Sequence, residues 1–334
     1  MSALKILGQR DAALAAIVVA LIAAIGLRAP VFVSPQSLVG VLTDTSFLFM
    51  LTLAQMAVIL TRGIDLSVAA NLALCGMICA LVSRAHPDLP ILAVIALGIA
   101  LGAVLGAVNG ALIAFIGIPP IVVTLGTLAI YRGVIFLIAG GAWLTSKDMS
   151  PAFLAFPKLS VLGVPILIVI AALVSLGFWL LLAQTRQGRA LYAVGGNPVA
   201  ARYCGIELSS QQFFVHSLAG AISGLCGYLW VSRYGIAYTD IALGYELTII
   251  AACVIGGVSI AGGVGSVPGA LLGALFLGVV VNALPVIDVS PFWQMAISGA
   301  VILAAVVVNA RSEKRGGKLI LRKTRVVVSA GEPS

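Results

Sequence analysis

Charged residues are scarce in this sequence. They make up 9% of its 334 residues, whereas soluble domains carry about a quarter. Hydrophobic residues account for 61% of the chain, which excludes an ordinary soluble fold. At roughly 20 residues per apolar span, the length allows about ten transmembrane helices with short loops. The sequence therefore predicts an all-α, polytopic transmembrane helix bundle.

Residues that carry chemistry are sparse as well. The nucleotide-binding pattern G-x-x-x-x-G-K-[ST] does not occur, so the chain is not expected to hydrolyse ATP itself. There are only two histidines, no Cys/His spacing typical of a metal site, and no paired-carboxylate or nucleophile constellation. The five cysteines fall in predicted spans or in one polar loop, so no disulfide framework is expected. We expect no catalytic residue, no metal and no cofactor bound by this chain.

Apolar runs divide the chain into ten predicted spans, and short polar breaks separate them. The spans cover about residues 12–27, 38–60, 68–82, 91–115, 121–138, 164–183, 213–231, 247–260, 267–284 and 291–309. They define a transmembrane domain, residues 1–310, followed by a basic tail, residues 311–334.

The distribution of basic residues predicts the orientation of this domain. With both termini in the cytoplasm, thirteen Lys and Arg face inside and five face outside. Cytoplasmic loops of membrane proteins carry such an excess. The net charge of +8 is thereby explained without a nucleic-acid partner.

The polar loop between spans six and seven, residues 184–212, is the most distinctive stretch. It carries a compact helix signal, because Asn197 suits an N-cap, Pro198 the first helical position and Gly205 the residue just past the end. A helix of about two turns is too short to be stable alone, so it must pack on something. Two interpretations are equally open here: a plug offered to a cytoplasmic partner, or a capped loop helix resting on the bilayer surface.

Ionisable and amide groups at membrane depth are candidates for function, because burying them there costs several kcal/mol. We expect Arg132 either to pair with Asp44 or Asp65 across helices, or to line a polar pathway. The candidates for a translocation pathway or polar core are Asp44, Asp65, Asn71, Arg132 and Glu246.

Two further patterns have mainly structural interpretations. Asn71, Asn109 and Asn282 are expected to form hydrogen bonds between helices. Glycine at every fourth position from Gly98 to Gly110 predicts close contact with a neighbouring helix.

Aromatic residues gather at the predicted outer ends of spans seven and eight. The sequence favours an aromatic belt at the membrane interface over a rim that meets substrate or a docking protein. These residues are Trp230, Tyr234, Tyr238 and Tyr245.

Motifs along nearly the whole chain resemble a known family. Residues 61–67, TRGIDLS, resemble the TGGIDLS motif of bacterial ribose- and rhamnose-type sugar ABC importer permeases, which are also similar to autoinducer-2 import permeases. Arg62 departs from that motif, and Ala69-Ala70 stand where glycine is frequent. The other matching segments are GIPPIVVTLGT (117–127), YRG (131–133), GGN (195–197), AA (200–201), GI (205–206), GYEL (244–247), GGVS (256–259), GG (262–263), GS (265–266) and SPFWQ (290–294).

The resemblance implies a transport subunit of an ATP-driven importer in the bacterial inner membrane, which is not itself an enzyme. It implies a separate ABC ATPase subunit that binds ATP and Mg²⁺, an extracytoplasmic sugar-binding protein, a second permease copy or paralogue, and surrounding membrane lipid. The expected cargo is a monosaccharide, a pentose or a deoxyhexose such as rhamnose. It also favours the plug interpretation of the short helix, whose coupling residues would be Asn197, Pro198, Ala200, Ala201, Arg202, Gly205 and Ile206.

Alternatives remain within and outside this class. An autoinducer-2 import permease would have very similar motifs. An ion-coupled secondary carrier would need a relay of buried carboxylates, for which Asp44 and Arg132 give thin support. An integral membrane enzyme is disfavoured because no reactive constellation is present.

Overall fold

The computed structural model describes residues 3–287, together with 289, 290, 293, 296, 299, 300 and 303. The predicted tenth span lies outside the described residues except at five isolated positions, and the basic tail lies wholly outside them. The described part is built almost entirely from helices, as predicted for an all-α membrane protein.

Twelve α-helices follow one another in the described residues. They are α1 (Ala3–Arg28), α2 (Pro35–Leu60), α3 (Val68–Ala85), α4 (Ile91–Ala111), α5 (Pro120–Ala139), α6 (Pro151–Ala155), α7 (Ile166–Gln184), α8 (Arg186–Gly196), α9 (Pro198–Tyr203), α10 (Leu208–Tyr234), α11 (Tyr245–Ile255) and α12 (Val267–Val286). A π-helical turn, Leu112–Ile116, extends α4. Eight of the helices are long and apolar enough to cross a membrane.

Four short strands form two small antiparallel pairs. They are β1 (Leu144–Thr145), β2 (Ser160–Val161), β3 (Val164–Pro165) and β4 (Ile236–Ala237). β1 pairs with β4, so the loop after α5 is joined to the end of α10. β2 and β3 form a hairpin just before α7.

The helices with the most polar residues form the centre of the bundle. α2, α3 and α10 are mostly buried, whereas α4 and α7 have higher mean hydropathy and only 22% of each is buried. This arrangement is the reverse of a soluble protein, because lipid accepts apolar surface and polar side chains must find partners inside the bundle. The outer faces of α4, α5 and α7 therefore suit contact with lipid.

The glycine row of α4 packs against α10, as predicted. Gly98, Gly102 and Gly106 are buried, and a Cβ at Gly102 would overlap the carbonyl oxygen of Gly220. The reciprocal overlap would arise at Gly220 with Gly102. The two backbones approach so closely that only glycine fits at these contacts.

The eighth predicted span is shorter in the structure than in the sequence analysis. The apolar run suggested a helix over 247–260, but α11 ends at Ile255 after only 11 residues. Gly257 has a φ of 89°, which ends the helix because this conformation favours glycine. α11 is a half-length helix followed by a glycine-rich turn, residues 256–266.

The two ends of the bundle differ in what they carry. At one end, called here the α9 end, the end of α2, helices α8 and α9 and the turn 256–266 come together. At the other, the sheet end, β1 pairs with β4 just after α10. The Arg62 side chain lies at the α9 end, and Arg233 lies at the sheet end of α10. Arg62 and Arg233 therefore lie at opposite ends of the bundle.

Candidate functional site

The short helix α9 forms with the caps that the sequence predicts. The Asn197 side chain accepts a hydrogen bond from the Ala200 backbone N–H at 3.0 Å, and Pro198 occupies the first helical position. Gly205 has a φ of 78°. Two backbone bonds close the end, from Gly205 to Arg202 and from Ile206 to Ala201, in the Schellman pattern that satisfies the last carbonyl groups of a helix.

α9 presents apolar side chains to the exterior. Val199 is 66% exposed and Tyr203 is 89% exposed, while Ala201 is buried against the rest of the chain. Arg202 forms an ion pair with Glu207 at 3.3 Å, and both side chains are largely exposed. A cleft of about 630 Å³ separates α9 from the turn after α4. The helix therefore offers a small, mixed apolar and charged surface beside an open cleft.

Arg62 ties this surface to the central helix α2, and sequence reasoning gave it no role. It lies in the break after α2 with a φ of 65°. Its Nε donates to the carbonyl oxygen of Gly195 at 2.7 Å, and a terminal nitrogen donates to Gly196 at 3.0 Å. These are the last two residues of α8, where a cation is stabilised by the helix dipole. The signal in the sequence was the arginine at a position where the family usually has glycine.

Further contacts join α2, α8 and the turn 256–266. The Gly263 N–H donates to the Leu60 carbonyl at 3.1 Å, and a Cβ at Gly195 would overlap that same carbonyl. The Tyr192 hydroxyl donates to the Gly265 carbonyl at 3.0 Å. α2, α8 and the turn 256–266 are thus held in direct contact. A single residue, Asn197, separates the end of α8 from the start of α9.

The predicted core residues Asp65 and Asn71 are buried and fully engaged. Asp65 accepts hydrogen bonds from the Ser67 N–H at 2.8 Å and from its hydroxyl at 2.7 Å. Asn109 donates to that hydroxyl at 2.8 Å, and Asn71 donates to the Gly102 carbonyl at 3.3 Å. Asp65 and Asn71 therefore hold the break before α3 against α4. Asn71 and Asn109 bond between helices as predicted, but Asn282 donates within its own helix, to Gly278.

Arg132 does not pair with Asp44 or Asp65, so the first of its two interpretations is wrong. One of its terminal nitrogens donates to the carbonyl oxygens of Thr239 at 2.8 Å and Ile241 at 2.7 Å. These carbonyls belong to the loop that leads into α11. The pairs do not form because the loop beside α5 supplies two carbonyl acceptors to Arg132. Asp65 is bonded to Ser67, and Asp44 is bonded to Arg233.

Asp44 pairs instead with Arg233. The two side chains meet at 3.3 Å, and each is 35% exposed. Glu246 lies in the first turn of α11, directly after the loop whose carbonyl groups bind Arg132. The five predicted core residues therefore fall into three separate places rather than one continuous polar path.

The aromatic residues at the sheet end form two clusters. Trp230 lies 5.3 Å from both Tyr234 and Tyr245, measured between ring centroids. Tyr238 stacks on Trp143 of the loop after α5, at 4.9 Å. The first three rings lie beside Asp44 and line one cavity.

A bundle with eight helices long and apolar enough to cross a membrane is the architecture expected of a membrane permease. Residues 37–306 match the family model described as "Branched-chain amino acid transport system / permease component". The chain belongs to this permease family and is a multi-pass membrane protein that serves as a transport component rather than as an enzyme.

Three relatives illustrate the range within the family. The chain is 36% identical over 291 residues to the ribose import permease protein of Haemophilus influenzae, covering 86% of this chain and 90% of the relative. It is 34% identical over 278 residues to the D-allose transport system permease protein of Escherichia coli K12, covering 83% and 84%. It is 35% identical over 289 residues to the autoinducer 2 import system permease protein of Shigella flexneri, covering 84% and 81%. No solved structure matches the chain.

Proposed function

We propose that this chain is the transmembrane permease subunit of an ATP-driven importer that moves a monosaccharide into the bacterial cytoplasm through the inner membrane. The observation that carries the proposal is the capped helix α9, which exposes Val199 and Tyr203 while Arg62 anchors the preceding helix to α2. A rigid, exposed element bound to the central helix suits the transfer of force from another protein. The coupling residues are the predicted set from Asn197 to Ile206.

In this proposal, a partner chain hydrolyses the ATP that drives transport. Because the sequence has no G-x-x-x-x-G-K-[ST] pattern, ATP and Mg²⁺ would be bound by an ABC ATPase subunit docked on α9. An extracytoplasmic binding protein would deliver cargo to the loops at the sheet end. A second permease copy or paralogue would complete the pathway.

The cargo class rests on the relatives. Two of the three carry a sugar in their names, ribose and D-allose, which supports a monosaccharide. Within that class we favour a pentose or a deoxyhexose such as rhamnose. Autoinducer-2 is the second candidate, because its import permease is as similar as the sugar permeases.

Reconstitution in vesicles tests the mechanism. Vesicles holding this chain, its ATPase and the binding protein should take up labelled sugar only when ATP is supplied, and an ion gradient should not replace ATP. Labelled ribose, allose, rhamnose and autoinducer-2 would be compared as cargo. Uptake by this chain alone, or uptake driven by an ion gradient, would reject the proposal in favour of a secondary carrier.

Gly205→Val tests the role of α9. A β-branched residue at a φ of 78° costs about 1–2 kcal/mol, and the new Cβ meets no other atom, so the effect is confined to the end of the helix. We expect ATP-driven uptake to fall several-fold while the protein still inserts in the membrane. Gly177→Val on α7 is the matched control, since its added Cβ also meets no atom and its φ is not positive. Equal uptake by the two variants would count against coupling through α9.

A further inference from the structure

A small cavity lies between α2, α10, α11 and α12, toward the sheet end of the bundle. Its volume is about 170 Å³, below the roughly 300–1,000 Å³ of pockets for drug-sized ligands. It is lined by the second half of α12 and by the first turn of α11. We call it the outer cavity. Its size suits a ligand no larger than a single sugar ring.

The polar groups of the outer cavity include some without a partner. The Thr45 hydroxyl is buried and forms no hydrogen bond within the described part of the chain. Asn282 uses its amide N–H group on Gly278, and no described residue donates to its side-chain oxygen. The Thr248 side chain also lines the wall. A buried hydroxyl without a partner costs about 1–3 kcal/mol, which a ligand hydroxyl at this place would recover.

Three aromatic side chains also line the outer cavity. Trp230, Tyr234 and Tyr245 line the cavity, with Trp230 between the two tyrosine rings. Ligand sites commonly combine such an apolar wall with a few convergent polar groups. An aromatic face accommodates the C–H face of a sugar ring, while hydroxyl and amide groups reach its hydroxyls.

The charges of the outer cavity balance. Asp44 lines it, and its carboxylate is paired with Arg233 at 3.3 Å, so neither an anion nor a cation meets an unpaired charge of opposite sign. This balance favours a neutral, polyhydroxylated ligand. A zwitterionic amino acid would find no unpaired charge here for its ammonium or its carboxylate group.

We propose that the outer cavity is a binding position for a monosaccharide within the membrane domain, where cargo rests between release by the binding protein and passage inward. This inference rests on the proposed function. A position along a transport path must release its ligand as readily as it takes it up, so binding is weak, with half-saturation in the millimolar range.

Fluorescence of the isolated permease tests binding without any partner chain. The chain has four tryptophans, so Trp143→Phe, Trp179→Phe and Trp293→Phe together leave only Trp230. D-ribose or D-allose should change its emission with half-saturation in the millimolar range, and L-leucine should leave it unchanged. Adding Asn282→Ala should raise the half-saturating concentration about fivefold or more. An unchanged spectrum up to 100 mM sugar, a response insensitive to Asn282→Ala, or an equal response to leucine would overturn the proposal.

Transport by the reconstituted complex separates this inference from the proposed function. Trp230→Ala should lower the maximal rate of sugar uptake about tenfold, while binding-protein-stimulated ATP hydrolysis continues. Trp179→Ala is the control, because Trp179 lies on α7 and is partly exposed outside the cavity. If the unaltered complex shows no ATP-driven uptake, the proposed function fails. If the unaltered complex transports sugar and the Trp230→Ala and Trp179→Ala variants transport it equally, the outer cavity is not a binding position, and the proposed function stands.

Discussion

At the scale of single residues, Arg62 shows how one side chain can join elements that lie far apart in the sequence. It reaches from the break after α2 to the last carbonyls of α8, more than 130 positions away. It does so from a backbone conformation, φ 65°, that costs a residue with a Cβ roughly 1–2 kcal/mol. The side-chain contacts offset this strain, since each hydrogen bond contributes about 0.5–1.5 kcal/mol.

Arg62→Gly separates the side chain from the backbone effect. Glycine adopts the same φ without strain but loses both hydrogen bonds, so we expect stability to change by less than about 1 kcal/mol. The coupling of ATP hydrolysis to transport should weaken instead, so the amount of sugar taken up per ATP hydrolysed should fall several-fold. Thermal unfolding in detergent and paired uptake and hydrolysis assays measure the two quantities.

Arg186→Gly is the comparison for that experiment. Arg186 lies at the start of the same helix, α8, and its side chain forms no hydrogen bond with the described residues. Coupled uptake should stay near that of the unaltered protein. Equal losses in the two variants would mean that basic charge at this end of the bundle matters, rather than the contact of Arg62 with α8.

At the scale of elements, the α4–α10 contact depends on the absence of side chains. Four glycines of α4 are buried, and the matching positions on α10 include Gly220 and Gly224, whose added Cβ atoms would overlap the backbone of α4. In lipid, helices associate through such close packing because no hydrophobic force draws them together. This pair therefore organises one side of the bundle.

Gly102→Ala should weaken this contact. The new methyl group overlaps the Gly220 carbonyl, so α4 and α10 must separate, at a cost of about 1–3 kcal/mol. Gly126→Ala is the matched control, because it lies mid-helix in α5 and its Cβ meets no atom. That change should be neutral or stabilising by up to about 1 kcal/mol, since alanine favours helix. Melting temperatures of the two variants in detergent should shift in opposite directions; a similar loss in both would contradict the close contact.

Element positions were largely predictable from the sequence, but element partners were not. Hydropathy located the first seven spans and the ninth, and cap residues located α9, because both signals are local. The early end of α11 was missed, since the apolar run continues past Gly256-Gly257 and only the backbone turns there. The partners of Arg132 and Asp44 depend on which helices are neighbours, which no local pattern encodes.

In the candidate site, too, local features were predictable from the sequence, and contacts between helices were not. The caps of α9 were predictable because Asn, Pro and Gly have fixed local preferences. The outer cavity was not, since α2, α10, α11 and α12 each supply only a few of its side chains. Its aromatic members were identified in the sequence, but their spacing favoured a belt.

At the scale of the whole molecule, the proposal requires that α9 face the cytoplasm, where ATP is available. The described residues place the break after α2, the end of α8 and the turn 256–266 at one end of the bundle. The β1–β4 pair lies at the other end, after α10. The excess of basic residues predicts that the first end is cytoplasmic. This orientation can be measured on the natural chain.

Cys204 serves as the reporter, because it is exposed at the end of α9 while the other four cysteines are buried. A membrane-impermeant maleimide should label it in inside-out vesicles and leave it unlabelled in intact spheroplasts. In a Cys204→Ser background, Lys158→Cys, an exposed position just before the β2–β3 hairpin, should show the reverse pattern. Labelling of Cys204 from outside would place α9 away from ATP, and since an ATPase could not then reach it, force transfer through α9 would have to be abandoned whatever the transport assays gave.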